Sequence, residues 1–264
     1  MQEFSCWKIP LILGRRLRGL QKSTAITLTP IRCYFLYLLM IHFHIITLFP
    51  ESIEPYLKAS MIGKAQDKKK IKVSFYDPKD FTEVSKKSAD GKERIQDSRV
   101  DRRPYGGGPG MVMRPEPMLH AVEKAIGKKK DVEIIFFSPA GKLFDEPMAK
   151  EFSSKKNIVF ICGHYEGIDA RVANILKATH ISVGPYILTG GELPAATMID
   201  AIARFVPGVL GKAESLENSR VSSSEVYTRP DVLKWKGKSY AVPEVLKSGH
   251  HEKIEQWKKS TRKD

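Results

Sequence analysis

The chain has 264 residues, 42% of them hydrophobic and 28% charged, with 44 Lys and Arg against 30 Asp and Glu for a net charge of +14. This length buries a real core in one large or two small domains, and the composition excludes wholesale disorder, a collagen-like repeat and a polytopic membrane protein. The positive excess calls for a polyanionic partner, nucleic acid or an anionic membrane surface. Three cysteines without a CxxC pair point to no disulfide framework or structural zinc site and fit a reducing compartment.

Residues 1–39 carry Lys8, Arg15, Arg16, Arg18, Lys22 and Arg32 against the single acid Glu3, so most of the basic bias lies in residues 40–264. Cys33 to Phe49 is nearly all apolar, but it is short for a membrane span, is interrupted by His42, His44 and Thr47, and runs into Pro50 and Glu51 with no A-x-A cleavage pattern. We read residues 1–39 as an extension outside the fold, with the functional start at Met40. A targeting segment and a membrane anchor are the competing readings, and no membrane association is expected.

From Ile41 onward, short runs rich in Val, Ile and Phe alternate with stretches of helical period. Ile41 to Phe49, Ile71 to Tyr76, Val132 to Phe137, Asn157 to Cys162 and His180 to Val183 read as strands buried on both faces. Glu51 to Lys64, Pro115 to Lys129, Ile168 to Leu176 and Glu192 to Phe205 read as helices. The alternation predicts an α/β fold with a mainly parallel sheet. After Pro207 and Gly208 the texture changes. The polar, Ser-rich residues 211–226 read as a linker, and residues 227–264 as a small C-terminal module ending in a basic amphipathic helix from His250 to Lys263.

Two glycine clusters fall at presumed strand ends, where α/β proteins bind ligands. Arg103 to Met111 holds four glycines and two prolines, and Val183 to Glu192 holds three glycines and leads straight into a helix. Such loops let main-chain amides approach a ligand closely. Neither fits a Walker loop or a GxGxxG fingerprint, so on residue pattern alone a structural turn and a ligand loop stand equally.

Between them lies Gly163-His164-Tyr165-Glu166-Gly167-Ile168-Asp169, directly after the strand ending in Cys162. These three stretches, together with Ile45 to Glu51, Pro78 to Thr82, Pro207 to Gly211 and Tyr227 to Pro230, closely resemble the bacterial tRNA (guanine-N(1))-methyltransferases of the SPOUT class. The resemblance covers roughly residues 41–258. It implies a SPOUT-type trefoil-knotted α/β domain over residues 40–210, a homodimer, and a short C-terminal tRNA-binding module of helical character. It also implies S-adenosylmethionine as methyl donor, Mg²⁺ as a further candidate cofactor, tRNA as substrate and a cytoplasmic location. The activity implied is methyl transfer to N1 of guanosine 37, next to the anticodon. Another SPOUT enzyme acting on rRNA or ribose, and an RNA-binding relative without catalysis, are the alternatives.

Carried over residue by residue, the cofactor shell is Phe137, Ser138, Pro139 and Ala140; Gly163, His164, Tyr165, Glu166 and Gly167; Val183, Gly184, Pro185, Tyr186, Ile187 and Leu188; and Gly190, Gly191 and Pro194. Tyr165 and Tyr186 also read as core aromatics, and Glu166 as a surface acid. His164 and Pro185 stand where the family pattern more often has Arg and Asp. No metal ligand set is indicated.

Guanine N1 is protonated at neutral pH, so the reaction has to remove that proton and stabilise negative charge on O6. Arg204 matches the family's catalytic arginine, against an i,i+4 ion pair with Asp200 as its structural reading. The family's general base is an aspartate after the Pro-Gly-Val-Leu-Gly motif. Residues 212–220 here contain no aspartate, and Glu217 is the nearest carboxylate, with a solvated linker acid as the alternative. Lysines at 68–70, 72, 86, 87 and 128–130, with the C-terminal Lys253, Lys258, Lys259, Arg262 and Lys263, supply cations for phosphates.

Overall fold

The computed structural model describes residues 40–82, 99–210 and 225–261, with the backbone of two short strands at 85–87 and 93–95. Residues 1–39, nearly all of the expected linker, and Glu217 lie outside the described residues.

Five parallel strands form the central sheet: β1 (Ile41–Ile46), β2 (Ile71–Tyr76), β7 (Val132–Leu143), β8 (Asn157–Ile161) and β9 (Thr179–Ser182), in the spatial order β2-β1-β8-β7-β9. Two small antiparallel pairs lie between β2 and β7: β3 (Ser85–Lys87) with β4 (Glu93–Ile95), and β5 (Asp101–Arg102) with β6 (Val112–Met113).

The strand period of two decides which helix each side chain meets. Ile41, Phe43 and Ile45 of β1, with Ile158 and Phe160 of β8, pack with α1 (Glu54–Lys58), α2 (Ser60–Asp67), α4 (Glu146–Phe152) and α6 (Glu192–Ala203). The alternate residues Ile46, Val159 and Ile161 face α3 (Pro115–Ile126) and α5 (Ala170–Leu176). The result is a helix–sheet–helix sandwich, the reason these strands are apolar on both faces. Phe160 stacks against Phe43 at 6.0 Å and Phe137 at 5.7 Å, so one aromatic row crosses three neighbouring strands.

Three differences from the sequence reading have local causes. The single helix expected from Glu51 to Lys64 is a 3₁₀ turn at Pro50–Ser52 followed by α1 and α2, because the chain bends at an extended Ala59 and a positive-φ Ser60. Gly63 allows that bend: an added Cβ would lie 2.1 Å from the Lys58 carbonyl oxygen. The strand expected to stop at Phe137 runs on to Leu143, interrupted by an outward bulge. Both Phe137 and Lys142 pair with Ile181, and a Cβ on Gly141 would strike the Ile181 nitrogen at 2.6 Å. The C-terminal segment is not purely helical. It opens with an exposed hairpin, β10 (Val232–Trp235) and β11 (Lys238–Ala241), before α7 (Glu244–Lys247) and α8 (His251–Ser260). Lys236 and Gly237 turn the hairpin with both φ positive, the geometry of a two-residue type I′ turn.

On the α3 side of β1 sit two histidines with ring centroids 3.7 Å apart. His42 Nε2 lies 2.8 Å from Ser74 Oγ, and His44 bonds to Tyr76 and Asn157. Burial, with His44, Lys72 and Lys129 nearby, holds His42 at about 3, and burial with Lys129 and Lys72 nearby holds His44 at about 4 despite the opposing hydrogen bond to Asn157, against an ordinary 6.5. Both are neutral in the fold, whereas in the unfolded chain they take up protons below pH 6.5. Stability is therefore full above that pH and is lost as the pH falls toward the folded values. We expect denaturant unfolding at pH 5 to show a loss on the order of 2 kcal/mol per histidine relative to pH 7.5, with much of this dependence removed by His42→Asn/His44→Asn. A pH-independent midpoint between 7.5 and 5 would show that the rings are not held neutral.

Candidate active site

The turn after β7 leads to α4 on one face of the sheet, whereas the turn after the adjacent β8 leads to α5 on the other. Divergent connections at neighbouring strand ends leave a crevice at the carboxyl edge, the place where α/β sheets bind ligands. A cavity of about 400 Å³ opens there, within the range of small-molecule sites.

Its wall has three parts. The β7 bulge contributes Phe137, Ser138 and Pro139; the turn after β8 contributes Gly163, His164, Tyr165, Glu166, Gly167 and Ile168; the loop between β9 and α6 contributes Val183, Gly184 and Tyr186 to Gly191, and the first turn of α6 contributes Pro194. Every cofactor residue expected from the sequence lines the cavity except Ala140 and Pro185. The structure adds Phe136, Ile168, Ile181, Ser182 and Thr189. Tyr165 and Tyr186 are each more than half exposed, which sets aside their reading as core aromatics.

The turn after β8 is held in a costly shape. Tyr165 has φ +60°, a conformation that side-chain-bearing residues avoid at an expense on the order of 1–3 kcal/mol. Two backbone bonds keep it there: Glu166 N–H donates to the Met111 carbonyl at 3.0 Å, and Gly167 N–H to the His164 carbonyl at 3.1 Å. The first of these ties in the other glycine cluster. Gly110 lies under the Glu166 side chain, where an added Cβ would meet Cγ at 2.5 Å, and Met113 N–H donates to the Gly167 carbonyl. The tip of that cluster is open, with Tyr105 fully exposed.

The floor is built by close approach. An added Cβ on Gly191 would stand 2.5 Å from Cys162 Cα, and one on Gly190 would stand 2.5 Å from His164 Cε1 and 2.4 Å from Glu192 Oε2. Cys162 is fully buried, and desolvation together with the Glu192 charge pushes its thiol well above the ordinary range, so it does not act as a nucleophile. In the β9–α6 loop the Ser182 hydroxyl donates to the Gly184 carbonyl and accepts from the Gly184 N–H, and the Tyr186 hydroxyl donates to the Val183 carbonyl at 3.2 Å.

Arg204 is not brought to this cavity. It caps the C-terminal end of α6, exposed, ten residues beyond Pro194, a helical rise of roughly 15 Å. Asp200, its expected ion-pair partner, accepts a 2.7 Å hydrogen bond from the Tyr56 hydroxyl. The outward positions of α6 are Leu193, Thr197 and Arg204, with Asp200 partly covered, and the cavity loop leading into α6 exposes Ile187 and Leu188. Among the described residues, no group of three or more His, Cys, Asp or Glu side chains gathers as a metal seat, and no helix is long and apolar enough to cross a membrane.

The same residues carry a likeness to known proteins. A family model described as tRNA (Guanine-1)-methyltransferase TrmD matches residues 41–264. The tRNA (guanine-N(1)-)-methyltransferase of Dictyoglomus turgidum is 41% identical over 224 residues, covering 83% of this chain and 84% of the relative. That of Clostridioides difficile is 40% identical over 223 residues, 82% of this chain and 90% of its own. That of Carboxydothermus hydrogenoformans is 44% identical over 219 residues, 81% and 80%. The family match begins on Ile41, the first residue of β1, and runs through the sheet, the cavity loops and the C-terminal hairpin: the chain belongs to the tRNA (guanine-1)-methyltransferase family.

Proposed function

We propose that this protein transfers a methyl group from S-adenosylmethionine to N1 of guanosine 37 in tRNA, in the cytoplasm, as a homodimer with a trefoil-knotted cofactor domain. The observation that carries the reading is the cavity at the β7–β8 divergence, in a chain of this family, lined by residues matching the family's cofactor motifs. Its size and glycine-rich wall suit an adenosine ligand, since main-chain N–H and C=O groups satisfy an adenine edge. When bound, S-adenosylmethionine supplies an electrophilic methyl group. Mg²⁺ is a further candidate cofactor, and among the described residues no group of three or more His, Cys, Asp or Glu side chains gathers to hold it.

The protein's own part is to place the guanine, take its N1 proton and stabilise charge on O6. Arg204 is the donor for O6, and its distance from the cavity along α6 supports an active site shared between two copies. If the exposed α6 stripe packs antiparallel on its equivalent, Arg204 of the partner subunit reaches the cavity. The apolar exposed Leu193, Ile187 and Leu188 favour burial of this face. Glu217 is the proposed general base. The module after residue 226 presents exposed Trp235 beside Lys234, Lys236 and Lys238, a surface suited to RNA phosphates and bases.

Unmodified tRNA incubated with methyl-labelled cofactor is expected to yield labelled 1-methylguanosine on digestion to nucleosides, and a tRNA carrying adenosine in place of guanosine 37 is expected to take up no label. A ribose-methylated nucleoside, or no transfer by the folded protein, would replace this reading with one of the two alternatives.

A further inference from the structure

His164 lines the cavity, yet its ring is also engaged behind it. Nε2 lies 2.8 Å from Glu192 Oε1, and the Thr47 hydroxyl donates to the same oxygen. Glu192 is the first residue of α6 and is only 5% exposed. The imidazole packs edge-on against Phe49 at 4.7 Å and against Tyr165 at 6.3 Å. Three separate segments meet in this cluster: the end of β1, the turn after β8, and the loop entering α6. Gly190 leaves the room for it, since an added Cβ would collide with both the His164 ring and the Glu192 carboxylate.

A buried carboxylate is tolerable only with donors around it. The α6 amino terminus and Thr47 supply part of that need, and the Nε2–H of His164 supplies the rest. The bond therefore does more than satisfy Glu192. It fastens the strained turn carrying Tyr165 to the loop carrying Gly190 and Gly191, the two walls between which a ligand has to fit. Walls already ordered before binding impose no ordering cost at binding.

Resting on the assignment of the cavity to S-adenosylmethionine, we infer that His164 is a positioning residue that sets cofactor affinity by locking these two walls together through Glu192. It takes no part in the methyl transfer itself, so its loss should move cofactor binding and leave the rate at saturating cofactor alone. A residue needed only for folding would show no such split.

The test uses the full chain and reads the cofactor Kd by calorimetry, kcat at saturating cofactor and tRNA, and the melting temperature. His164→Phe fills the ring volume but cannot donate to Glu192, and its Kd is expected to rise 10- to 100-fold with kcat within threefold of wild type. His164→Gln keeps an N–H donor, and its Kd is expected within threefold of wild type. His164→Ala replaces the Phe variant if that one fails to fold. Wild-type binding of the cofactor with unchanged Kd in the donor-less variant, or with kcat falling as far as affinity, overturns the positioning role. Absence of cofactor binding by the folded wild type would instead overturn the assignment of the cavity.

Discussion

Arg204→Ala is expected to lower the single-turnover methylation rate by about 100-fold or more, the usual loss when a donor to a developing negative charge is removed. Cofactor affinity should stay near wild type, because Arg204 sits at the far end of α6 from the cavity loops. Melting temperature should scarcely change. Asp200 has a partner in the Tyr56 hydroxyl, and an exposed ion pair at Arg204 would in any case contribute only a few tenths of a kcal/mol. The structural reading of Arg204 makes the reverse forecast, a lower melting temperature with an unchanged rate, so one pair of measurements on one variant decides between them.

The largest structural effect should come from one added methyl group, in Gly191→Ala. The backbone there, φ −84° and ψ −4°, suits any L-residue, so the cost is purely steric. The new Cβ would lie 2.5 Å from Cys162 Cα, 2.9 Å from Cys162 Cβ and 3.2 Å from Gly163 N. None of these atoms is the free end of a side chain. The turn after β8 and the start of α6 have to separate, and both line the cavity. Overpacking of this kind costs about 1–3 kcal/mol, which corresponds to a fall of roughly 2–12 °C in melting temperature for a chain of this size. Loss of measurable S-adenosylmethionine binding should accompany it. Gly107→Ala is the contrasting control: its φ is +79° but nothing lies within 4 Å, so conformational strain alone applies and cofactor binding should survive. Wild-type cofactor affinity in Gly191→Ala would mean that the two walls can part without harm.

The buried strands were legible because both of their faces are apolar: Ile71 to Tyr76 is β2 to the residue, and the strand from Asn157 ends one residue earlier than expected. Helix ends were less plain: the helix expected to run from Pro115 to Lys129 stops at Ile126, where Gly127 closes α3. What failed to show was structure set by contacts distant in sequence. The bulge in β7 exists because Ile181 accepts two partners, and no local pattern announces that. The helix α4 was missed because only seven residues follow its Asp145 cap. The cavity residues were found through a family resemblance, whereas the His164–Glu192 bond joins positions 28 apart whose pairing has no sequence signal of its own. Arg204 was legible as a residue, but its separation from the cavity emerges only once α6 is seen as one continuous helix.

The order of strands in the sheet also governs how the chain is made. β1 is flanked by β2, synthesised soon after it, and by β8, where His44 meets Asn157 across 113 positions. At about 5–20 residues per second on the ribosome, β1 emerges roughly 6–23 s before that neighbour exists. During this interval Ile41, Phe43 and Ile45 can shelter only against α1, α2 and β2, and one edge of β1 stays unpaired. Parallel pairing over such separations is slow to form and exposed to aggregation meanwhile, so the yield of active enzyme should respond to chaperone supply and to growth temperature before it responds to the stability of the finished fold.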